Sequence, residues 1–197
     1  VGNTKNIEHL ISNRKIFNHL KVHTQYSICQ GAVKIDDKTI DILLESANWA
    51  PTHKKTEPWR YKVLTNKTKD KFGEFLGKKY KESTLNFSDF KYNSLIEKTK
   101  KSSVIILICM QRDPNESVPE WEEIASVSMS VQNMWLMATD LNIGAYWSST
   151  KLIEYIDEFI PLDKGENCLG IFYMGKYDKE KFTRNPKPID EKIKWFR

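Results

Sequence analysis

Cysteine is scarce in this chain. Its 197 residues hold three, Cys29, Cys109 and Cys168, and no Cys-x-x-Cys pair. An odd, sparse count argues against a disulfide framework and suits a reducing compartment. Cys109 and Cys168 lie in apolar runs, which predicts core positions, and Cys29 falls in a predicted loop. Long apolar runs are lacking too. The longest, residues 104–110, is far too short to span a bilayer. No secretory signal is visible at the start. The expectation is a cytoplasmic protein that does not engage membranes.

Several chemical signatures are absent. There is no Gly-x-Gly-x-x-Gly fingerprint and no P-loop. No Gly-x-Ser-x-Gly elbow or Ser-His-Asp context supplies a nucleophile. His19 and His23 are four apart, but they straddle a predicted helix end without an acidic third ligand, so no metal site is expected. Glu122 and Glu123 are adjacent in a predicted helix, where neighbours do not face each other. They read as partners of the positive helix end rather than as an acid–base dyad.

What is present is a globular composition. The chain is 40% hydrophobic and 12% aromatic, with six Trp and nine Phe to fill a core, a subunit interface or pocket walls. Its length reads as one domain over residues 1–197. The net charge of +5 and a pI near 8.9 are a mild basic excess. Ten lysines fall between Lys67 and Lys101, and the expected reading is a solvated helical face. A nucleic-acid surface would want a zinc-ligand set, an aromatic RNP-like strand or a helix-turn-helix, none of which is found. No nucleic-acid partner is expected.

Periodicity predicts the elements. Asp36 or Asp37 caps a helix whose apolar face is Ile40, Leu43, Leu44, Ala47 and Ala50, stopped by Pro51. Residues 60–64 read as a strand, the lysine-rich segment 67–100 as two helices, and residues 103–110 as a buried strand. Pro119 suits the first position of a long helix with Glu120, Glu122 and Glu123 in its first turn. Its expected buried stripe is Trp121, Ile124, Ala125, Ser128, Val131, Trp135, Ala138 and Leu141. A short strand over 144–147, a helix capped by Thr150 and a strand over 169–174 follow. The order predicts an α+β fold, one mixed sheet with helices around it. The tail over 176–197 is polar, then ends apolar at Ile193, Trp195 and Phe196, as a segment packing on a second subunit would.

The polar candidates bring no nucleophile of their own. They are Asn13-Arg14-Lys15 at the end of the first predicted helix, His53 in the loop after Pro51, Trp147-Ser148-Ser149 between a strand and a helix, and Arg184 and Lys187 in the tail. Cations and free amides suit an anionic, polar ligand, and such sites often leave the chemistry to a cofactor.

Residues 49–59, Trp-Ala-Pro-Thr-His-Lys-Lys-Thr-Glu-Pro-Trp, carry a specific resemblance, as do Val118-Pro119-Glu120-Trp121-Glu122, Gly144-Ala145-Tyr146-Trp147-Ser148-Ser149 and Leu169-Gly170-Ile171-Phe172-Tyr173-Met174-Gly175. In these the chain resembles the flavin-dependent nitroreductase superfamily, and within it the minimal YdjA-like nitroreductases. The resemblance implies a homodimer with FMN at the subunit interface. It implies that Arg14 and Lys15, with Asn13 beside them, meet the ribityl phosphate, helped by Arg184 or Lys187. Trp49, Thr52 and His53 would come from the other subunit to flank the isoalloxazine and ribityl chain. Trp147, Ser148 and Ser149 would contact the flavin from the first. Where the family has Arg-Arg-Ser this chain has Asn13-Arg14-Lys15, which keeps the charge but not the bidentate geometry. The implied reaction is ping-pong. NADH or NADPH reduces the flavin, and a nitroaromatic, quinone or similar electron-poor small molecule is reduced in turn, with no catalytic side chain of the protein's own. A flavin-binding storage or sensing protein is the alternative.

Overall fold

A computed structural model describes residues 35–175 and 186–197. Asn13, Arg14, Lys15, Arg184 and Cys29 lie outside them.

Asp36 accepts the amide of Thr39 at 2.7 Å and so starts helix α1 (Asp37–Asn48). The helix closes two residues before the expected Ala50. Trp49 and Ala50 still bond the carbonyls of Ser46 and Ala47 in a tightened last turn, at 3.4 and 3.2 Å. Strand β1 (Trp59–Leu64) leads into helices α2 (Asn66–Ser83) and α3 (Asp89–Lys101), then strand β2 (Val104–Gln111). Helix α4 (Glu120–Asp140) crosses to strand β3 (Gly144–Ser148). Thr150 caps the expected helix, which is of the 3-10 type (Lys151–Glu158), and strand β4 (Glu166–Gly175) follows.

The α+β class is as expected. The sheet order is β1-β2-β4-β3, and every pairing among these strands is antiparallel, where a mixed sheet was expected. The two-helix excursion α2–α3 turns the chain so that β2 runs opposite to β1. The α4 crossover does make β3 run parallel to β2, but β4 inserts between them.

β2 is the centre of the domain, buried from Val104 to Met110. Alternation along it serves two layers. Ile106, Ile108 and Met110 face α1 and α4, with Leu43, Ala47, Val127, Val131 and Met134. Ile105, Leu107 and Cys109 face α2 and the 3-10 helix, with Phe72, Leu76, Leu152 and Ile156.

The lysine-rich pair α2–α3 is not uniformly solvated. Lys69 is buried, and its ammonium donates to the carbonyls of Thr99 and Lys100 at 2.8 and 3.3 Å, neutralising the C-terminal end of α3. Lys98 lies over the rings of Tyr146 and Tyr173, and burial pushes its pKa down.

The expected stripe of α4 is a correction. Glu123, Ser126, Val127, Ser130, Val131, Met134 and Ala138 are buried, whereas Trp121, Ile124 and Leu141 are exposed. Apolar residues occur all round this helix, so periodicity does not select a face. Buried polar partners do. Pro119 precedes the first helical residue rather than occupying it. The described tail forms a 3-10 turn (Ile189–Lys192), with Lys187 exposed before it and Trp195 and Phe196 exposed after it.

Gly73 sets the approach of α2 to α3, since a Cβ there would come within 2.0 Å of Thr99 Oγ1. Gly73→Ala is expected to lower unfolding free energy by about 1–3 kcal/mol in urea denaturation. A change below about 0.5 kcal/mol would show that the contact is not tight.

Candidate functional site

The corner between α1 and β1 is built from strained backbone held by polar contacts. Lys54, Lys55 and Glu57 all take positive φ, of 51, 56 and 43°. Thr52 Oγ1 lies 3.0 Å from Thr56 Oγ1 and accepts the Glu57 amide at 3.3 Å. Lys54 Nζ donates to the Ser117 carbonyl at 2.8 Å. Beneath the corner, the buried Trp59 indole donates to Asn48 at 3.1 Å. Tyr61 meets Ser130 Oγ at 2.6 Å, and Ser130 donates to Ala47 at 2.7 Å, which pins α1, α4 and β1 together. Burial pushes the Tyr61 phenol up to about 12, the Ser130 bond only partly opposing it.

α4 supplies the facing wall. Glu123, with a fully buried carboxylate, pairs with Arg112 and accepts the Asp113 amide at 3.0 Å. Arg112 also donates to the Val118 carbonyl at 2.9 Å. The neighbouring Glu122 thereby points to the corner, where His53 Nδ1 lies 2.5 Å from its Oε2. His53 and Thr52 with Pro51, Trp121, Ala125 and Met129 line a cleft of about 280 Å³. Trp49, 78% exposed, stands beside a second opening along Ile42, Glu45 and Met137, its indole donating to Glu45 at 2.8 Å. Reading Glu122 and Glu123 as dipole partners missed both of their ion-pair contacts. Glu122, Trp121 and Met129 are site residues that sequence reasoning did not single out. The signal available was the Val118–Glu122 motif beside the His53 loop.

The second set lies at the far edge. The half-buried Trp147 indole donates to the Leu169 carbonyl at 3.3 Å, in space that Gly170 leaves: a Cβ there would sit 1.9 Å from Trp147 Nε1. The hydroxyls of Ser148, half-buried, and Ser149, exposed, have no hydrogen bond among the described residues. The His53 corner precedes β1, and Ser149 follows β3, so two strands stand between them. Three strand spacings amount to about 14 Å. The structure thus gathers Trp49, Thr52 and His53 at one edge and Trp147, Ser148 and Ser149 at the other, and does not join them in one chain. Lys187 is exposed and makes no hydrogen bond with either set among the described residues.

A family model described as "Nitroreductase family" matches residues 32–176. The chain belongs to the nitroreductase family. Among relatives, the Bacillus subtilis (strain 168) protein named "Putative NAD(P)H nitroreductase YfhC" is 26% identical over 154 residues, covering 77% of this chain and 79% of the relative. A nitroreductase-like family protein from Bacillus cereus superposes with a TM-score of 0.70 at 22% identity, over 100% of this chain and 98% of that one. The FMN-dependent nitroreductase NfnB from Mycobacterium smegmatis, solved with NADPH, superposes with a TM-score of 0.71 at 13% identity, over 87% and 93%. At these identities the two structures establish the nitroreductase fold. Among the described residues no helix is long and apolar enough to cross a membrane, and no cluster of metal-ligating side chains occurs.

Removing the carboxylate of Glu123 takes one partner from Arg112, which keeps the Val118 carbonyl, and leaves the Asp113 amide without its acceptor. Glu123→Ala is expected to cost about 1–3 kcal/mol of unfolding free energy. A loss under about 1 kcal/mol in chemical denaturation would show that this pair does not seat the helix.

Proposed function

We propose that this nitroreductase is an FMN-dependent NAD(P)H oxidoreductase that acts as a homodimer on electron-poor small molecules such as nitroaromatics and quinones. The observation that carries the reading is the division of the site. Two sets of ligand-facing residues stand at opposite edges of one sheet, and a second copy would bring them together.

The residues fit a flavin. The cleft at the corner has an apolar wall from Trp121, Ala125 and Met129 and a polar edge from Thr52 and His53, as a planar ring with polar rims requires. Ser148 and Ser149 would offer hydroxyls that have no hydrogen bond among the described residues. The phosphate would fall to Arg14 and Lys15, with Asn13 beside them and Arg184 or Lys187 in support. When bound, FMN supplies the capacity to accept a hydride and pass it on. The protein's part is to bind, orient and exclude water. The Glu122 carboxylate fixes the His53 ring, Trp49 and Trp147 would offer aromatic surface, and hydrogen-bond donors beside a bound flavin would favour negative charge on it.

An outward apolar face supports the dimer. Ile42, Trp49, Trp121, Ile124, Met129 and Leu136 are exposed on α1 and α4, and Trp195 and Phe196 on the tail. Exposed apolar side chains gathered on one face are what an interaction surface presents. The described tail residues, 186–197, are all exposed, and they would lie across the partner.

The anaerobic absorbance spectrum of the purified protein should show flavin bands that bleach with NADH or NADPH. Bands that persist would indicate a binding protein for storage or sensing, and no flavin after adding FMN would overturn the reading. Ile124→Glu should convert the dimer to a monomer in sedimentation and lower FMN affinity at least about tenfold, the equivalent of 1.4 kcal/mol. An Ile124→Glu chain that remains dimeric would exclude this face as the interface.

A further inference from the structure

Cys109 and Cys168 face each other across the sheet. They are register partners of β2 and β4 at the bulge that leaves Leu169 as the extra residue. Directly opposed residues of an antiparallel pair share one face, with Cα atoms about 4.5–5.5 Å apart, inside the span that a disulfide bridges. Both thiols are free and belong to the same apolar layer. The two are unequal. Cys109 is fully buried, whereas Cys168 is half-buried and lines a polar cleft of about 440 Å³ with Ser149, Thr150, Lys151 and Asn167.

A third group completes the cluster. The Glu166 carboxylate is buried, with Lys62 Nζ 2.8 Å from Oε1 and donating to Oε2 at 2.9 Å, while the Asp163 amide also donates to Oε2, at 2.9 Å. Oε1 has no aligned hydrogen bond. Burial raises the Glu166 pKa, but Lys62 and the Asp163 amide outweigh it and hold the group ionised beside Cys109. The mutual contact of the thiols raises Cys109 and lowers Cys168. The accessible thiol is therefore the one that ionises.

We propose that Cys168 is a modification site for hydroperoxides and that Cys109 resolves it, giving a reversible Cys109–Cys168 disulfide. The Cys168 thiolate attacks a peroxide oxygen, the O–O bond breaks, and sulfur is oxidised to the sulfenic acid. The leaving hydroxide takes up the thiol proton as water. Cys109 Sγ then displaces the sulfenic hydroxyl, forming the S–S bond as the S–O bond breaks. Its proton passes by way of Glu166 to that hydroxyl and leaves as a second water. In sum, two thiols and one hydrogen peroxide give one disulfide and two waters, and a dithiol reductant reverses the change. The linkage would form one residue from the Leu169 carbonyl that holds Trp147. The assignment does not rest on the flavin reading.

The test uses the purified protein as isolated. In the native state N-ethylmaleimide should label Cys168 at least about tenfold faster than Cys109. After hydrogen peroxide, alkylation and non-reducing trypsin digestion, mass spectrometry should find peptides 102–112 and 165–176 joined, and dithiothreitol should separate them. In Cys109→Ser, dimedone should trap the Cys168 sulfenic acid with no cross-link formed. In Cys168→Ser, Cys109 should stay reduced. The wild-type chain alone decides the matter, so a misfolded variant does not blunt the test. An unlinked Cys109, a Cys168 no faster than Cys109, or cross-links made only through Cys29 would overturn the proposal.

Discussion

The rotation of α4 about its own axis is the constraint on which the other features depend. Three polar groups on that helix are buried: Glu123 against Arg112, Ser130 against Tyr61 and Ala47, and Ser126. An uncompensated buried carboxylate is far costlier than a few exposed apolar side chains. Glu123 must therefore face Arg112, its arginine partner among the described residues, and the helix turns accordingly. Everything on its other faces is then assigned. Glu122 is directed at His53, Trp121 and Met129 wall the cleft, and Ile124 and Leu136 look outward.

The sequence therefore located α4 well and oriented it badly. Its start follows, to within one residue, from Pro119 and the acidic first turn, which act locally. Its face depends on Arg112, which lies eleven residues away across a loop, and no periodicity contains that partner. β2 was legible for the opposite reason: a run buried on both sides needs no choice of face. The N-cap at Asp36 was equally local, whereas the Pro51 stop put the helix end two residues too late. The sheet was read as mixed because strand direction follows from long connections, and here β4 separates two strands that do run parallel. The lysines of α2 and α3 were read by composition as solvated, yet Lys69 serves as an internal cap, since its partners are carbonyls thirty residues on. In the candidate site, Thr52, His53 and Trp147 were visible as motif positions. Their separation across the sheet was not, because a motif carries no distance.

The corner and α4 also need each other energetically. Three non-glycine residues with positive φ within four positions store strain on the order of 1 kcal/mol or more each. The compensating contacts come from outside the loop: Glu122 holds His53, and the Ser117 carbonyl just before α4 holds Lys54. A loop in this state is shaped by the helix that faces it, which makes the cleft a property of α4 as much as of the loop. In the proposed homodimer the same helix would supply the interface from its adjacent face. Assembly and the shape of the site would then rest on one rotation, and a change that turned α4 would be felt in both. It would release the strain of the corner while withdrawing Trp121 and Ile124 from the partner. That dependence would account for a buried, paired glutamate on so apolar a helix: the carboxylate selects one face out of several that hydrophobicity alone would accept.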